Sequence, residues 1–191
     1  MLRELWLIRH GETEWSRSGA HTGRTDLPLT PGGRENAAAI GRWLAGRPFA
    51  LVLTSPLERA KETCRLAGYS GAAQIDPNLA EWNYGDYEGR TTTDIQKDRA
   101  GWSLWNDGVP NGESIGDVAA RADAVVGRAL AADGAAALFA HGHILRILTA
   151  RWLGLPPVCG KLFALGTASI STLGYEHQTR VISRWNFSIS G

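Results

Sequence analysis

The residues best suited to chemistry stand where apolar segments end, in separate parts of the sequence. The run LWLI ends in Arg9 and His10, the run LFA ends in His141, and Arg59 closely follows the run LVLT. Cations and imidazoles gathered at one point repel one another unless an anion lies between them. Guanidinium groups form bidentate hydrogen bonds with phosphate oxygens, and a neutral imidazole can attack phosphorus. These residues predict an anion pocket, for phosphate binding as the passive interpretation or phosphoryl transfer as the active one.

Phosphoryl transfer to a histidine also requires an acid, because an alkoxide leaving group departs poorly without a proton. Glu81, in the loop segment NLAEWNYGDYEG, is the natural candidate among the loop acids. Glu12 and Glu14 are expected to be surface acids, and Glu88 is expected to stabilise the loop. The acid-base role is therefore predicted for Glu81.

These groups can meet only if a scaffold brings several strand ends together. Alternating apolar strands and amphipathic helices indicate an α/β sandwich with a mainly parallel sheet, and ligands bind beyond the carboxyl ends of such strands. Helix N-termini after Ser55 and His141 are expected to add N–H donors to the cavity. Strands are predicted at Leu5–Ile8, 49–56, 74–76, 136–141, 167–176 and 179–187, the last two joined near His177. Helices are predicted at 30–46, 57–68, 114–134 and 143–154.

Composition narrows the classes of partner. The net charge of +1 gives no general attraction to nucleic acid or anionic lipid. No apolar run reaches the roughly 20 residues of a membrane span, and no signal peptide is recognised. Cys64 and Cys159 lack metal-ligand spacing, and the His141–His143 pair lacks a third ligand. We expect a cytoplasmic protein without metal or cofactor.

The segment LIRHGETEW resembles the signature of the histidine phosphatase superfamily, also called the phosphoglycerate mutase-like family. The resemblance runs from about Leu5 to Thr172 and implies a three-layer α/β/α fold. The chain length predicts a single domain over 1–191, and the weak helical pattern and turn residues predict a short excursion at about 86–112 over the site. The further stretches that match, in order, are HTGRTDLPLTPGGRENA, LVLTSPLERAKET, LAEWNYGDYEG, PNGESIGDVAARAD and LFAHGHILR.

The resemblance assigns roles by position. It implies that His10 is the phosphorylated nucleophile, that Arg9, Arg59 and His141 complete the phosphate pocket, and that Glu81 donates the proton. Trp102 and Trp105 are expected either to wall the site or to pack the loop. The residues predicted to contact substrate are Ser16, His21, Thr22, Gly23, Trp82, Tyr84, Gly142 and His143.

Two features favour hydrolysis over a mutase reaction. Mutases of the family tend to carry HGN where this chain has HGH, and the 90–112 segment is short and weakly basic. We expect a phosphatase for small phosphorylated metabolites, sugar phosphates above all. A sugar bisphosphate stays open, with His21, Arg24 or Lys97 meeting the second anion. The alternatives are a mutase-type phosphoryl transferase and a non-catalytic phosphate-ligand module. The apolar C-terminal edge strands leave self-association into a homo-oligomer open.

Overall fold

The protein is built around a six-stranded β-sheet. The computed structural model describes Leu2 and residues 4–189. The sheet order is β3-β2-β4-β1-β5-β6. The first four strands in this order are mutually parallel, β5 runs antiparallel to β1, and β6 runs antiparallel to β5. The strands are β1 (Leu5–Arg9), β2 (Leu51–Thr54), β3 (Ala73–Ile75), β4 (Ala136–Ala140), β5 (Ser169–Glu176) and β6 (Thr179–Ser188). The predicted α/β fold with a mainly parallel sheet is confirmed.

Two pairs of helices pack on the two faces of this sheet. Thr30 accepts a hydrogen bond from Gly33 N–H at the start of one helix, and Ser114 forms a capping box with Asp117 at another. The helices are α1 (Glu14–Ser18), α2 (Pro31–Leu44), α3 (Glu58–Leu66), α4 (Thr92–Asp98), α5 (Leu104–Asp107), α6 (Ile115–Leu130) and α7 (Gly142–Trp152).

The layers follow from the alternation of side chains along each strand. In β1, Leu5 and Leu7 join the core that includes residues of α6 and α7. Trp6 and Ile8 join the second core, with residues of α2 and α3. Both faces of the central strands are apolar because both are covered, as in parallel sheets generally. Each fully buried aliphatic side chain contributes about 1.5–3 kcal/mol.

Two local features differ from the sequence predictions. The first loop contains the five-residue helix α1, which Thr13 caps through the N–H of Ser16. The helix α3 begins at Glu58, one residue later than predicted. The weakly helical 91–112 segment contains the short helices α4 and α5. The predicted hairpin near His177 is confirmed, with φ of 55° at that residue. Within the described residues, no helix is both long and apolar enough to cross a membrane.

Candidate active site

The ends of three neighbouring strands bring the predicted pocket residues together. Strand β4 lies between β1 and β2, and all three point the same way. His10 donates its backbone N–H to Ala140 at 3.0 Å, and Ser55 donates to Phe139 at 2.9 Å. His141 follows β4, and its ring centroid lies 5.1 Å from that of His10. The sheet register therefore places the two imidazoles side by side.

The hydrogen bond of His10 to the chain fixes its tautomer. Nδ1 lies 2.7 Å from the carbonyl oxygen of Gly11, which can only accept, so Nδ1 carries the proton. Nε2 is consequently the nitrogen with the lone pair. Burial, followed by the charges of Arg9 and Arg59, holds the pKa of His10 well below its usual value. The ring is neutral and able to act as a nucleophile.

Arg9 brings a buried cation to the same place. Its Nη1 donates to the carbonyl oxygen of Leu165. Its Nε is buried, and no other described residue gives it a hydrogen-bond partner. Buried donors are nearly always paired, so this N–H is suited to an anionic ligand. Burial lowers the pKa of Arg9, and the charge of Glu81 opposes that shift.

Arg59 and His141 form a buried pair beside His10. Arg59 Nε donates to His141 Nδ1 at 3.1 Å, so the proton of the neutral ring sits on Nε2, 2.7 Å from Ser55 Oγ. Burial, followed by the charge of Arg59, lowers the pKa of His141 well below its usual value. Arg59 therefore sets the tautomer of this second imidazole.

The remaining donors of Arg59 hold the loop at residues 22–25. Its Nη2 donates to the carbonyl oxygens of Thr22 and Gly23, at 3.0 and 2.9 Å, and its Nη1 donates to Thr25 at 2.9 Å. Arg59 and His141 are fully buried and do not line the cavity described below. Arg59 thus holds both the His141 ring and this loop, and the contact of Arg59 and His141 with phosphate stays a prediction.

Glu81 is held by backbone N–H groups at the start of α7. Oε1 accepts from Trp82 and Ile144, both at 2.9 Å, and Oε2 accepts from His143 at 2.9 Å. Because Oε1 accepts two bonds and Oε2 accepts one, Oε2 keeps more capacity for a further hydrogen bond. Glu81 also lines the cavity, as its predicted role requires.

Two helix N-termini were expected to add N–H donors to the cavity, but four of their N–H groups donate to side chains of the protein instead. At α7, His143 and Ile144 give their N–H groups to the carboxylate of Glu81. Near α3, Leu57 donates to Ser55 Oγ at 3.2 Å, and Glu58 donates to Asp26 at 2.8 Å. Side chains of the protein occupy these donors, which sequence spacing could not reveal.

These groups surround a cavity of about 450 Å³. Its lining includes nine predicted residues: Arg9, His10, Ser16, His21, Thr22, Glu81, Tyr84, Gly142 and His143. From the predicted excursion, Thr92, Gln96, Trp102, Ser103, Leu104 and Trp105 also line it. The cavity is therefore lined by residues at the strand ends and by residues of the 86–112 segment, including Trp102 and Trp105.

Two residues predicted to contact substrate do not line this cavity. Trp82 is completely buried and donates its indole N–H to the carbonyl oxygen of Glu113 at 2.8 Å. Gly23 donates its N–H to Glu88 at 2.8 Å. We therefore correct both assignments: Trp82 packs in the core, and Gly23 fixes the loop. Glu88 also accepts from Thr25 at 2.9 Å, in agreement with its expected loop role.

A neutral Tyr84–His143 pair lies on one wall. The two side chains approach to 2.6 Å, between Oη and Nδ1. Burial raises the pKa of Tyr84 well above its usual value and lowers that of His143 well below. The tyrosine O–H therefore donates to Nδ1, which leaves the proton of His143 on Nε2. Burial also lowers the pKa of His21, whose Nε2 lies 3.3 Å from Thr92 Oγ1.

Arg146 is a cavity residue that the sequence analysis missed. Its guanidinium lies 4.6 Å from the ring centroid of Trp105, and its Nε and Nη2 donate to the carbonyl oxygens of Gly160 and Lys161. It follows Gly142 by four residues on α7, so both share one helix face. That spacing is the signal that could have identified it.

Of the three residues that the sequence suggested for a second anion, His21 lines the cavity, whereas Arg24 and Lys97 do not. Lys97 is 69% exposed and pairs with Asp94 at 2.7 Å, and Arg24 lies 3.8 Å from Glu113. Among the described residues, no group of three or more His, Cys, Asp or Glu side chains is arranged to hold a metal ion.

Comparisons with known proteins point to one family. A family model described as the histidine phosphatase superfamily (branch 1) matches residues 5–188. The chain is 42% identical over 183 residues to an acid phosphatase of Mycobacterium tuberculosis, covering 94% of this chain and 90% of that protein. It is 35% identical over 182 residues to sedoheptulose 1,7-bisphosphatase of Saccharomyces cerevisiae, covering 78% of this chain and 67% of that one.

A solved structure of an open reading frame product from Mycobacterium tuberculosis has a TM-score of 0.92 and 38% identity, covering 98% of both chains. The family match spans both β1, which His10 directly follows, and the C-terminal hairpin. The chain therefore belongs to the histidine phosphatase superfamily, branch 1, and is a phosphoric monoester hydrolase.

Proposed function

We propose that this protein hydrolyses phosphomonoesters of small metabolites, chiefly sugar phosphates, through a phosphohistidine on Nε2 of His10. The observation that carries the proposal is the hydrogen bond between His10 Nδ1 and the Gly11 carbonyl oxygen. It leaves the lone pair on Nε2 of a ring that burial and two arginines keep neutral. A neutral imidazole with a fixed tautomer is ready to attack without first losing a proton.

The first step forms one bond and breaks another. Nε2 of His10 attacks phosphorus, and the bond from phosphorus to the ester oxygen breaks with its electron pair on that oxygen. Glu81 gives its proton to the departing oxygen and becomes a carboxylate. Arg9, with its unpaired Nε–H, is suited to bind the charged phosphoryl oxygens during transfer.

The second step restores the enzyme. Glu81 accepts a proton from a water molecule, whose oxygen attacks phosphorus as the phosphorus–nitrogen bond breaks. The electron pair of that bond returns to Nε2, and inorganic phosphate leaves. One carboxyl group thus serves first as acid and then as base, and no metal ion enters either step.

The outer part of the cavity favours a sugar substrate with a second anion. Trp102 and Trp105 supply aromatic faces of the kind that pack against polar rings with apolar edges. Arg146 supplies a cation in the same wall, so we assign it, with His21, to a second phosphate. The relative named sedoheptulose 1,7-bisphosphatase supports a sugar bisphosphate as substrate.

The experiment is a panel of sugar monophosphates and bisphosphates, with p-nitrophenyl phosphate as a general substrate, each assayed with and without excess chelator. We expect release of inorganic phosphate, highest kcat/KM for a sugar bisphosphate, and loss of turnover in His10→Ala. Transfer of the phosphoryl group between positions of a phosphoglycerate, without phosphate release, would support the mutase alternative. Binding of phosphate esters without turnover would support the non-catalytic module, and loss of activity in chelator would contradict the metal-free mechanism.

A further inference from the structure

We propose that Arg121 and Glu113 form a clamp that positions Glu81 for proton transfer, an inference that rests on the proposed function. Neither residue lines the cavity. Both belong to a mostly buried ion pair behind the segment that carries Glu81. Arg121 and Glu113 are therefore positioning residues, and Glu81 is the catalytic residue on which they act.

The ion pair has the forked geometry that holds two side chains in one orientation. Arg121 Nε lies 2.8 Å from Glu113 Oε1, and Arg121 Nη2 lies 3.0 Å from Oε2. The two side chains are only 15% and 17% exposed. A bidentate, partly desolvated pair restricts motion far more than an exposed one does.

The pair fixes the chain before Glu81. Nη1 of Arg121 donates to the carbonyl oxygen of Asn78 at 2.7 Å and to that of Ala80 at 2.8 Å. Ala80 is the residue immediately before Glu81, so the guanidinium determines where the backbone enters the site.

Glu113 fixes the chain after Glu81. Its Oε2 accepts the Asn83 N–H at 2.8 Å, and its carbonyl oxygen accepts the Trp82 indole N–H at 2.8 Å. Its own N–H donates to the Asn83 carbonyl oxygen at 3.0 Å. Glu81 is thus held on both sides by a single ion pair, although its carboxylate is bonded separately to α7.

The clamp predicts a specific kinetic defect. If the backbone beside Glu81 shifts, the carboxyl group meets the departing oxygen less well, and a displacement of about 1 Å can cost about 10²-fold in rate. Good leaving groups depart without a proton, so they are insensitive to this displacement. Because kcat/KM covers binding and the steps up to the first irreversible one, it includes departure of the leaving group but not hydrolysis of the phosphoenzyme.

The test measures kcat/KM for phenyl phosphate, which has a poor leaving group, and for p-nitrophenyl phosphate, which has a good one and a similar size. The ratio is the value for phenyl phosphate divided by that for p-nitrophenyl phosphate. The fraction of active enzyme cancels in this ratio, so a partly misfolded variant still gives a valid result. We expect the ratio to fall about tenfold in Arg121→Gln and by about 10² or more in Glu81→Gln. Glu113→Gln is a second variant, which keeps an amide oxygen for Asn83 but loses the charge. We expect a smaller fall there.

Arg151→Gln is the matched control. Arg151 forms a similar bidentate pair with Asp123, at 2.9 and 3.0 Å, but does not contact the segment at 78–83. We expect its ratio to equal that of the wild type. A normal ratio in Arg121→Gln, alongside a lowered ratio in Glu81→Gln, would overturn the clamp and leave the proposed function intact. A normal ratio in Glu81→Gln would overturn Glu81 as the acid, and the clamp with it.

Discussion

The rings of His10 and His141 lie with their centroids 5.1 Å apart, inside a region that also holds Arg9 and Arg59. Two charged imidazoles could not be held at this distance without a large electrostatic cost. Burial and the neighbouring guanidinium groups keep the pKa of both rings well below the usual value, so both are neutral. The protein therefore keeps His10, the proposed nucleophile, neutral beside two guanidinium groups.

This arrangement predicts that the protein is less stable in mild acid. His10 and His141, which are buried, and His143, which is partly buried, have lowered pKa values in the folded state, whereas in the unfolded state they titrate near about 6.5. As the pH falls through that value, only the unfolded state takes up these protons. The free energy of unfolding should then decrease by up to about 1.4 kcal/mol per pH unit for each histidine.

Urea unfolding at pH 7, 6 and 5 measures this effect. His143→Gln removes one of the three titrating groups, so its slope against pH should be shallower than that of the wild type. Equal free energies of unfolding at pH 7 and pH 5 would contradict the assignment of three neutral histidines.

Arg146→Gln should reduce the preference for a bisphosphate. A hydrogen bond to a charged group contributes about 1.5–3 kcal/mol, so kcat/KM for a sugar bisphosphate should fall at least about tenfold. The value for the matching monophosphate should change little. Lys97→Gln is the control, because Lys97 is exposed and does not line the cavity. An equal loss for both substrates would show that Arg146 does not meet the second anion.

Glu88→Ala should destabilise the loop at residues 22–25, to which Arg59 also donates hydrogen bonds. One oxygen of Glu88 accepts N–H groups from both Gly23 and Thr25. Losing these bonds should lower the free energy of unfolding by about 1–3 kcal/mol, and Glu88→Gln should cost less. Glu14→Ala removes an exposed pair with Arg17 and should cost no more than about 0.5 kcal/mol. Equal stability of Glu88→Ala and Glu14→Ala in urea would refute the loop role.

Gly11→Ala should impair both stability and hydrolysis. A Cβ atom at residue 11 would lie 2.4 Å from the backbone oxygen of Gly33, which cannot move aside as a side chain would. We expect a loss of about 1–3 kcal/mol in thermal or urea unfolding. Gly32→Ala is the matched control, since a Cβ there meets nothing within 4 Å and a helical alanine is stabilising. A stable, active Gly11→Ala protein would contradict the close approach.

The sequence predicted the features that depend on local pattern. Apolar strands ending in His10 and His141 indicated a shared sheet edge, because parallel strands present their carboxyl ends together. Thr30 and Ser114 marked helix starts, and both cap helices in the structure. The order of strands and helices was enough to predict the fold class.

The features that sequence pattern missed depend on side-chain direction and on long-range contacts. The indole of Trp82 points to a carbonyl oxygen 31 residues away, and Arg59 donates to a loop more than 30 residues earlier. Neither partner is implied by local spacing. Arg146 was missed because the helix around it was recognised by its apolar residues. Helix α1 was missed because five residues give too little periodicity.

The most direct test of the central claim is to trap the phosphoenzyme. The enzyme is mixed with a ³²P-labelled sugar phosphate, quenched in alkali within the first turnover, and mapped by mass spectrometry. We predict one labelled residue, His10, with a bond that survives alkali, is lost in acid and does not form in His10→Ala. Label on another side chain, or full turnover in His10→Ala, would contradict the account.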